Sequence, residues 1–202
     1  MYTLITGTTG VGKSSLINSL QNICKNILVF QDPYETNPFL SMAYQKGSMT
    51  FQSEIFFIKE FIKIHNCINN TKQFDIIQER SIYECVHIFA KQYLNNRIID
   101  QREYDTLKDL MDLVSMGYRK PDVIIHLYAD NIIIKNRLLQ RNRNFESEID
   151  IEFITYQEEC YQDWLKLIYQ DFKIPIIQLD TSVLTIEETY NKTLKLLSDF
   201  KL

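Results

Sequence analysis

A glycine-containing run near the start of the chain constrains the fold more than any other sequence feature. The apolar segment Tyr2–Thr6 before it has strand character, and Lys13–Cys24 after it has the apolar spacing of a helix. Three of the five glycines of the chain, Gly7, Gly10 and Gly12, fall between these segments. Glycine adopts the backbone angles that a tight loop requires. The run therefore predicts a strand–loop–helix unit, the repeating element of parallel α/β sheets.

Four further apolar, β-rich runs alternate with segments of helical period along the rest of the chain. Each run is apolar almost throughout, as expected for strands that are covered by helices on both faces. The pattern predicts a three-layer α/β fold with a five-stranded parallel sheet, in a single domain over residues 1–202. The additional predicted strands are Ile27–Gln31, Phe74–Gln78, Asp122–Tyr128 and Ile174–Leu179.

The predicted helices are marked by periodicity and by capping patterns. Apolar residues at helical spacing predict long helices over Phe51–Asn69 and Ile151–Phe172. An acid or a hydroxyl residue followed three positions later by glutamate indicates the start of a helix. The pairs predicted in this way are Asp100 with Glu103 and Thr185 with Glu188. Asp130 alone is predicted to cap a further helix through Leu139.

The glycine run also has the composition of a phosphate-binding loop. It matches the pattern G-x-x-x-x-G-K-[ST] in full, between a strand and a helix, which predicts a P-loop NTPase fold that binds ATP or a similar nucleotide. The backbone N–H groups of such a loop turn towards phosphate oxygens, and Lys13 reaches the β and γ phosphates. The hydroxyl of Ser14 is suited to bind Mg²⁺. The predicted phosphate-binding residues of loop 7–14 are Gly7, Thr8, Thr9, Gly10, Val11, Gly12, Lys13 and Ser14, with Ser15 following.

Composition narrows the class of partner. The formal net charge of −4 argues against general nucleic-acid binding, which requires a basic excess. No apolar run reaches the length of a membrane span, and the four cysteines are scattered without metal-binding spacing. Because the first strand begins at Tyr2, we expect no signal peptide. A cytoplasmic protein with no nucleic-acid or membrane partner is predicted.

Charged residues follow the second and third predicted strands. Asp32 comes directly after the second strand, and Glu79 and Arg80 come after the third. The carboxyl ends of parallel strands meet at one edge of a sheet, so these residues are expected beside the phosphate loop. A carboxylate there can accept the proton of a hydroxyl nucleophile, and a fixed cation stabilises a moving phosphoryl group. The arrangement predicts phosphoryl transfer to an alcohol.

Five motifs in this order resemble those of the deoxynucleoside kinases, in particular the compact deoxyadenosine and deoxyguanosine kinases. The resemblance covers essentially the whole chain and implies transfer of the γ-phosphate of ATP to the 5′-hydroxyl of a deoxynucleoside, with Mg²⁺. The first motif is Gly7–Ser14, and the second is Asp32-Pro33 running into Asn37-Pro38-Phe39-Leu40. The other three are Phe51-Gln52, Glu79-Arg80-Ser81, and the lid residues Arg137, Arg141, Arg143 and Glu146.

The resemblance implies roles for these residues. Asp32 stands where the family places its general base, although the family normally has glutamate there. Arg80 is expected beside the 5′-oxygen and the moving phosphoryl group, and Glu79 is expected to help hold Mg²⁺ with Ser14 or to orient Arg80. The predicted catalytic residues are Asp32, Arg80 and Lys13. The family is usually dimeric, which implies a homodimer.

The remaining implied roles concern the nucleoside and a lid over the donor. Gln52 matches the glutamine that reads the base, and Tyr44 and Glu146 match the pair that holds the sugar 3′-hydroxyl. The lid is expected over about residues 137–149, where Arg137, Arg141 and Arg143 close over the donor phosphates. Arg137 and Arg141 share a helix face because they are four residues apart.

Base preference and three alternative functions stay open. Lys59 and Cys85 replace the Arg–Asp pair of the deoxycytidine kinases, which argues against a copy of their specificity. A monophosphate kinase of the thymidylate-kinase type would need extra cations, but only Lys46 lies between residues 32 and 58. A GTPase-type switch would need Asn-Lys-x-Asp, and Asn191-Lys192 lacks the aspartate. The Asp32 substitution leaves a weakly active nucleoside-binding relative as the third alternative.

Overall fold

The core of the protein is a parallel sheet. The computed structural model describes residues 1–23, 26–143, 146 and 149–198. Within these ranges the sheet has five strands in the order β2-β3-β1-β4-β5, and every neighbouring pair is parallel. The predicted three-layer α/β fold with a five-stranded parallel sheet is confirmed. The strands are β1 Tyr2–Thr6, β2 Ile27–Phe30, β3 Asp75–Glu79, β4 Val123–Tyr128 and β5 Ile176–Asp180.

The strand boundaries differ from the predicted ones by one or two residues, except in β1, where they coincide. The largest difference is in β5, which was predicted to begin at Ile174 and begins at Ile176. Pro175 precedes this strand and has no N–H to donate to the sheet, although its carbonyl accepts from the N–H of Ile124 at 2.9 Å. The strand therefore starts after the proline.

Ten helical segments connect and cover the strands within the described ranges. The capping boxes at Asp100 and Thr185 are confirmed, because in each the cap and the glutamate three residues later bond to each other's backbone N–H. The segments are α1 Lys13–Ile23, α2 Leu40–Lys46, α3 Thr50–Asn70, α4 Ile82–Glu84, α5 Lys91–Asn95, α6 Gln101–Ser115, α7 Asn131–Arg141, α8 Ile151–Phe172 and α9 Ile186–Ser198, with a π-helical run Cys85–Ala90 between α4 and α5. A short 3₁₀ turn spans Pro33–Thr36.

The two faces of the sheet pack against different helices. Leu4 belongs to a buried apolar cluster with residues of α3, α6 and α8, whereas its neighbour Ile5 belongs to a second cluster with α1 and α9. Successive residues of a strand point to opposite faces, so this division places helices on both sides of the sheet. No helix in the described ranges is long and apolar enough to cross a membrane.

The first strand passes into the phosphate loop through a glycine that no other residue could replace without displacement. Gly7 has φ +136°, and a Cβ atom at this position would lie 2.1 Å from the carbonyl oxygen of Leu127 in β4. The close approach of the loop to β4 thus requires the absence of a side chain. It fixes the loop at the carboxyl edge of the sheet, where Asp32 and Arg80 also lie.

Candidate active site

A cavity of about 450 Å³ opens at the carboxyl edge of the sheet. Its walls bring together the phosphate loop, the ends of β2 and β3, the π-helical run and the arginines that follow β4. Residues from four of the five predicted motif regions, all except Phe51-Gln52, therefore meet at one place. A cleft of this size is suited to a small-molecule ligand.

The phosphate loop presents residues 9–15 to the cavity, whereas Gly7 and Thr8 lie beneath. The ammonium of Lys13 donates to the carbonyl oxygens of Gly7 at 2.8 Å and Thr8 at 2.9 Å. Burial, with the nearby cation of Arg80, lowers the pKa of Lys13 to about 7. A triphosphate in the loop would supply negative charge and favour the charged form of this side chain.

At the far end of the loop, two oxygen ligands suited to a hard cation lie together. The hydroxyl of Ser14 donates to Oε1 of Glu79 at 2.8 Å, and Glu79 is almost fully buried. A hydroxyl and a carboxylate are the oxygen donors that Mg²⁺ prefers in proteins, so this pair fits the predicted metal site.

Asp32 and Arg80 form a buried ion pair beside the loop. The guanidinium Nη1 of Arg80 lies 3.0 Å from Oδ2 of Asp32, and the side chains are 11% and 8% exposed. The second oxygen, Oδ1, is buried and has no hydrogen-bond partner among the described residues. Burial raises the pKa of Asp32 above its ordinary value, and the charge of Arg80 opposes this. Asp32 thus lines the cavity with one carboxylate oxygen paired to Arg80 and the other without a partner among the described residues.

The position of Arg80 is fixed from several sides. Its Nη2 donates to Oγ1 of Thr9 at 2.9 Å, and its guanidinium lies 4.4 Å from the ring centre of Phe89. Its backbone has φ 58°, a left-handed conformation that residues other than glycine rarely adopt. Such backbone conformations persist where the surrounding structure imposes them, often at functional sites.

Glu84 is a buried acid beneath the loop that was not predicted from the sequence. Its carboxylate accepts from the hydroxyls of Thr6 at 2.6 Å, Tyr161 at 2.9 Å and Ser81 at 3.2 Å. Burial raises its pKa, and the hydrogen bonds from Thr6 and Tyr161 oppose that effect. The only sequence signal for this residue was an acid four positions after Arg80. Its hydrogen bonds to Thr6 and Tyr161 connect the end of β1 to α8.

Arg137 connects the helix after β4 to the phosphate loop. Its guanidinium donates to the carbonyl oxygen of Thr181 at 2.7 Å, to Oγ1 of the same residue at 3.1 Å and to the carbonyl of Val11 at 3.4 Å. Arg141 lies one turn further along α7, and both arginines line the cavity. The prediction that they share one face is confirmed.

The other two arginines surround Glu146. Arg141 donates from Nε and Nη2 to the two carboxylate oxygens at 2.9 and 2.5 Å, and Nη1 of Arg143 lies 3.5 Å from Oε1. Arg143 also donates to the hydroxyl of Tyr34 at 2.5 Å and stacks on its ring. Of the predicted lid, residues 144, 145, 147 and 148 lie outside the described ranges.

The prediction for the base-reading residue disagrees with the structure. Tyr44 and Glu146 line the cavity as predicted, but Gln52 is exposed and lies outside it. Glu54, two residues further along α3, lines the cavity and is 2% exposed. Residues two apart on a helix point in roughly opposite directions, because each step turns about 100°. The structure therefore turns Gln52 away from the cavity and turns Glu54, on the same helix, towards it.

A parallel sheet of this order, a glycine-rich loop ending in lysine and serine, and an acid–arginine pair at a shared cavity define a P-loop phosphotransferase. The chain belongs to the deoxynucleoside kinase family, because the family model described as "Deoxynucleoside kinase" matches residues 3–200. It is therefore a kinase.

Individual relatives agree with this assignment. The chain is 29% identical to the deoxyadenosine/deoxycytidine kinase of Bacillus subtilis over 164 residues, which are 80% of this chain and 75% of the relative. It is 28% identical to the deoxyadenosine kinase of Dictyostelium discoideum over 180 residues, 88% of this chain and 71% of the relative. In fold it is similar to the deoxyadenosine kinase of M. mycoides, with a TM-score of 0.85 at 24% identity, covering 98% of this chain and all of the other.

Proposed function

We propose that this chain transfers the γ-phosphate of ATP to the 5′-hydroxyl of a deoxynucleoside, giving the 5′-monophosphate. The observation that supports the proposal most directly is the buried, unpartnered Oδ1 of Asp32 in the same cavity as the phosphate loop. An acceptor hydroxyl placed there would meet a hydrogen-bond acceptor on one side and the donor phosphates on the other.

Asp32 is the proposed general base. Arg80 holds one carboxylate oxygen, and the other, on a residue that lines the cavity, is unpaired and would accept the proton of the 5′-hydroxyl. Burial raises its pKa, which makes the carboxylate a stronger base than a solvent-exposed aspartate. The family's glutamate is one methylene longer, but the ion pair at 3.0 Å shows that the shorter side chain still reaches Arg80.

Cations surround the path of the phosphoryl group. Lys13 and the N–H groups of the loop would bind the β and γ phosphates, and Arg80 would stabilise the group in transit. Arg137, Arg141 and Arg143 also line the cavity and would bind the donor phosphates. Cationic stabilisation of this type contributes about 10³–10⁵-fold in rate.

Mg²⁺ would be held by the Ser14 hydroxyl with the carboxylate of Glu79, which already lie within hydrogen-bond distance. When bound, the ion neutralises charge on the donor phosphates. On the acceptor side, Tyr44 and Glu146 would bind the sugar 3′-hydroxyl. Arg141 donates two hydrogen bonds to the carboxylate of Glu146. This contact would connect a residue that binds the acceptor, Glu146, to a residue that binds the donor, Arg141.

The proposal is tested by incubating the purified protein with Mg-ATP and each of the four deoxynucleosides and measuring 5′-monophosphate formation. At least one deoxynucleoside should be phosphorylated, and Lys13→Ala should abolish turnover. Asp32→Asn keeps the shape of the side chain but removes the base, so kcat should fall by about 10²–10⁴-fold while nucleoside affinity changes little.

Two results would contradict the proposal. If nucleoside monophosphates are phosphorylated and nucleosides are not, the chain is a monophosphate kinase. If Asp32→Asn raises KM and leaves kcat intact, Asp32 binds substrate and another group takes the proton.

The proposal extends to the setting of the enzyme. Residues 1–202 would form one kinase domain that assembles as a homodimer in the cytoplasm, without nucleic-acid or membrane partners. The family resemblance supports the homodimer, and the net charge of −4 supports the absence of a nucleic-acid partner. Sedimentation of the purified protein would show a mass of about twice 24.0 kDa.

A further inference from the structure

The cavity is lined by a further buried acid that the proposed reaction does not use. Glu54 is 2% exposed, lies on the second turn of α3 and lines the cavity together with Asp32 and Arg80. Its Oε2 is buried and has no hydrogen-bond partner among the described residues. A buried polar atom without a partner carries a cost of about 1–3 kcal/mol, which a ligand that supplies the missing bond would remove.

We propose that Glu54 contacts the base edge of the acceptor nucleoside, and that its protonation state decides which bases the enzyme accepts. The inference rests on the proposed kinase function and adds to it the group that recognises the base. Gln52, the amide that the sequence pattern suggested for this role, is exposed on another face of α3.

The two forms of a carboxyl group present different hydrogen-bond patterns. The protonated acid offers one O–H donor beside one carbonyl acceptor, whereas the carboxylate offers two acceptors. Adenine and cytosine each present an amino donor next to a ring-nitrogen acceptor, which complements the protonated acid. Guanine presents two adjacent donors, its ring N–H and its amino group, which complement the carboxylate. Protonation should therefore favour adenine and cytosine, and ionisation should favour guanine.

The surroundings of Glu54 place this change near neutral pH. Burial raises the pKa of the Glu54 carboxyl to about 8, with a smaller opposing effect of Arg80 and a further increase from Asp32. Tyr44, Cys85 and Tyr93, which come from three other elements, also interact with Glu54. The titratable and charged groups that interact with Glu54 are Arg80 at the end of β3, Asp32 after β2, Tyr44 on α2, Cys85 on the π-helical run and Tyr93 on α5.

The test compares kcat/KM for deoxyadenosine, deoxycytidine and deoxyguanosine at pH 6.5 and 8.5, under saturating Mg-ATP. With a pKa of about 8, the protonated fraction falls roughly fourfold over this range and the ionised fraction rises roughly 25-fold. The ratio of deoxyadenosine to deoxyguanosine activity should thus fall about 100-fold. Because a ratio is measured, ionisation of Asp32 or Lys13 affects both substrates equally and cancels.

Glu54→Gln is the matched variant, since an amide has nearly the same shape and does not titrate. Its ratio of activities should change less than about twofold between the two pH values. Glu60→Gln is the control, because Glu60 lies on the same helix but pairs with the surface Lys59 and Lys63. This variant should retain the full pH dependence of the wild type.

The outcomes separate the two levels of the argument. If deoxynucleosides are phosphorylated but the wild-type ratio does not change with pH, the kinase function stands and the role of Glu54 is wrong. A wild-type ratio that changes equally in Glu54→Gln refutes it as well. If no deoxynucleoside is phosphorylated at either pH, the kinase proposal itself fails and this inference with it. A wild-type ratio that does not change with pH refutes the role of Glu54 even if a variant does not fold.

Discussion

His65 should make the stability of this protein depend on pH in a way that one substitution removes. The side chain lies in α3, is 1% exposed, and has neither ring nitrogen hydrogen-bonded among the described residues. Its ring stacks on that of Tyr118 at 4.6 Å with an interplanar angle of 6°. Burial lowers its pKa from the ordinary 6.5 to about 4, because the protonated ring would lose its hydration and gain no partner.

The sign of the effect follows from proton binding. Between these two pKa values the unfolded chain binds a proton at His65 and the folded chain does not, so stability falls as pH falls below about 6.5. From pH 7.5 to 5, the contribution of His65 should lower the free energy of unfolding by about 2 kcal/mol, since one pKa unit corresponds to about 1.4 kcal/mol. For an unfolding slope near 2 kcal/mol/M this is a shift of about 1 M in the urea midpoint.

The measurement is urea unfolding of the wild type and of His65→Phe across this pH range. Phenylalanine keeps the stacking surface on Tyr118 and does not titrate. Other groups contribute to the pH dependence, among them His87, whose pKa burial also lowers. They contribute equally to both proteins, so the difference between the two curves isolates His65. The prediction fails if the two curves are parallel, so that the difference in free energy of unfolding between the two proteins varies by less than about 0.5 kcal/mol across the pH range.

Two further predictions concern the loop and the acid beneath it. Gly7→Ala should lower the free energy of unfolding by about 4 kcal/mol or more, because the added Cβ would overlap a backbone carbonyl. Gly12→Ala meets open space and only a positive φ, so it should lower the free energy of unfolding by about 1–3 kcal/mol and mainly weaken ATP binding. Thermal melting and ATP titration distinguish them, and equal losses would count against the steric argument. Tyr161→Phe removes one hydrogen bond to the buried Glu84 and should lower Tm by about 4–8 °C, roughly 2 kcal/mol, whereas an unchanged Tm would show that this bond adds nothing.

Periodicity predicted most of the framework because the sheet is buried on both sides. A strand covered by helices must be apolar throughout, and such runs stand out between polar segments. Capping residues such as Asp100 act through bonds to their own helix, so their pattern is local and was read correctly. The short helix α2 and the π-helical run were not predicted, since neither has a periodic signal long enough to separate it from a loop.

The site was less predictable where a contact depends on the direction of a side chain. Asp32 and Arg80 follow strands whose ends must meet, so their proximity could be derived from topology alone. The choice between Gln52 and Glu54 depended on which face of α3 turns inward, and that is set by packing of the whole helix. The burial of Glu84 could not be predicted, because its hydrogen-bond partners lie on β1 and α8, which are distant in sequence.

The π-helical run Cys85–Ala90 has a consequence for how the cavity keeps its shape. Helical turns of this type accommodate an additional residue, so the helix before the run and the helix after it are rotated relative to an uninterrupted α-helix. Cys85, Phe89 and Tyr93 form one wall of the cavity across that rotation. Loss of a single residue from the segment would restore a regular helix and turn Tyr93 away from the wall. The number of residues in this stretch, and not only their identity, therefore determines the width available to a ligand.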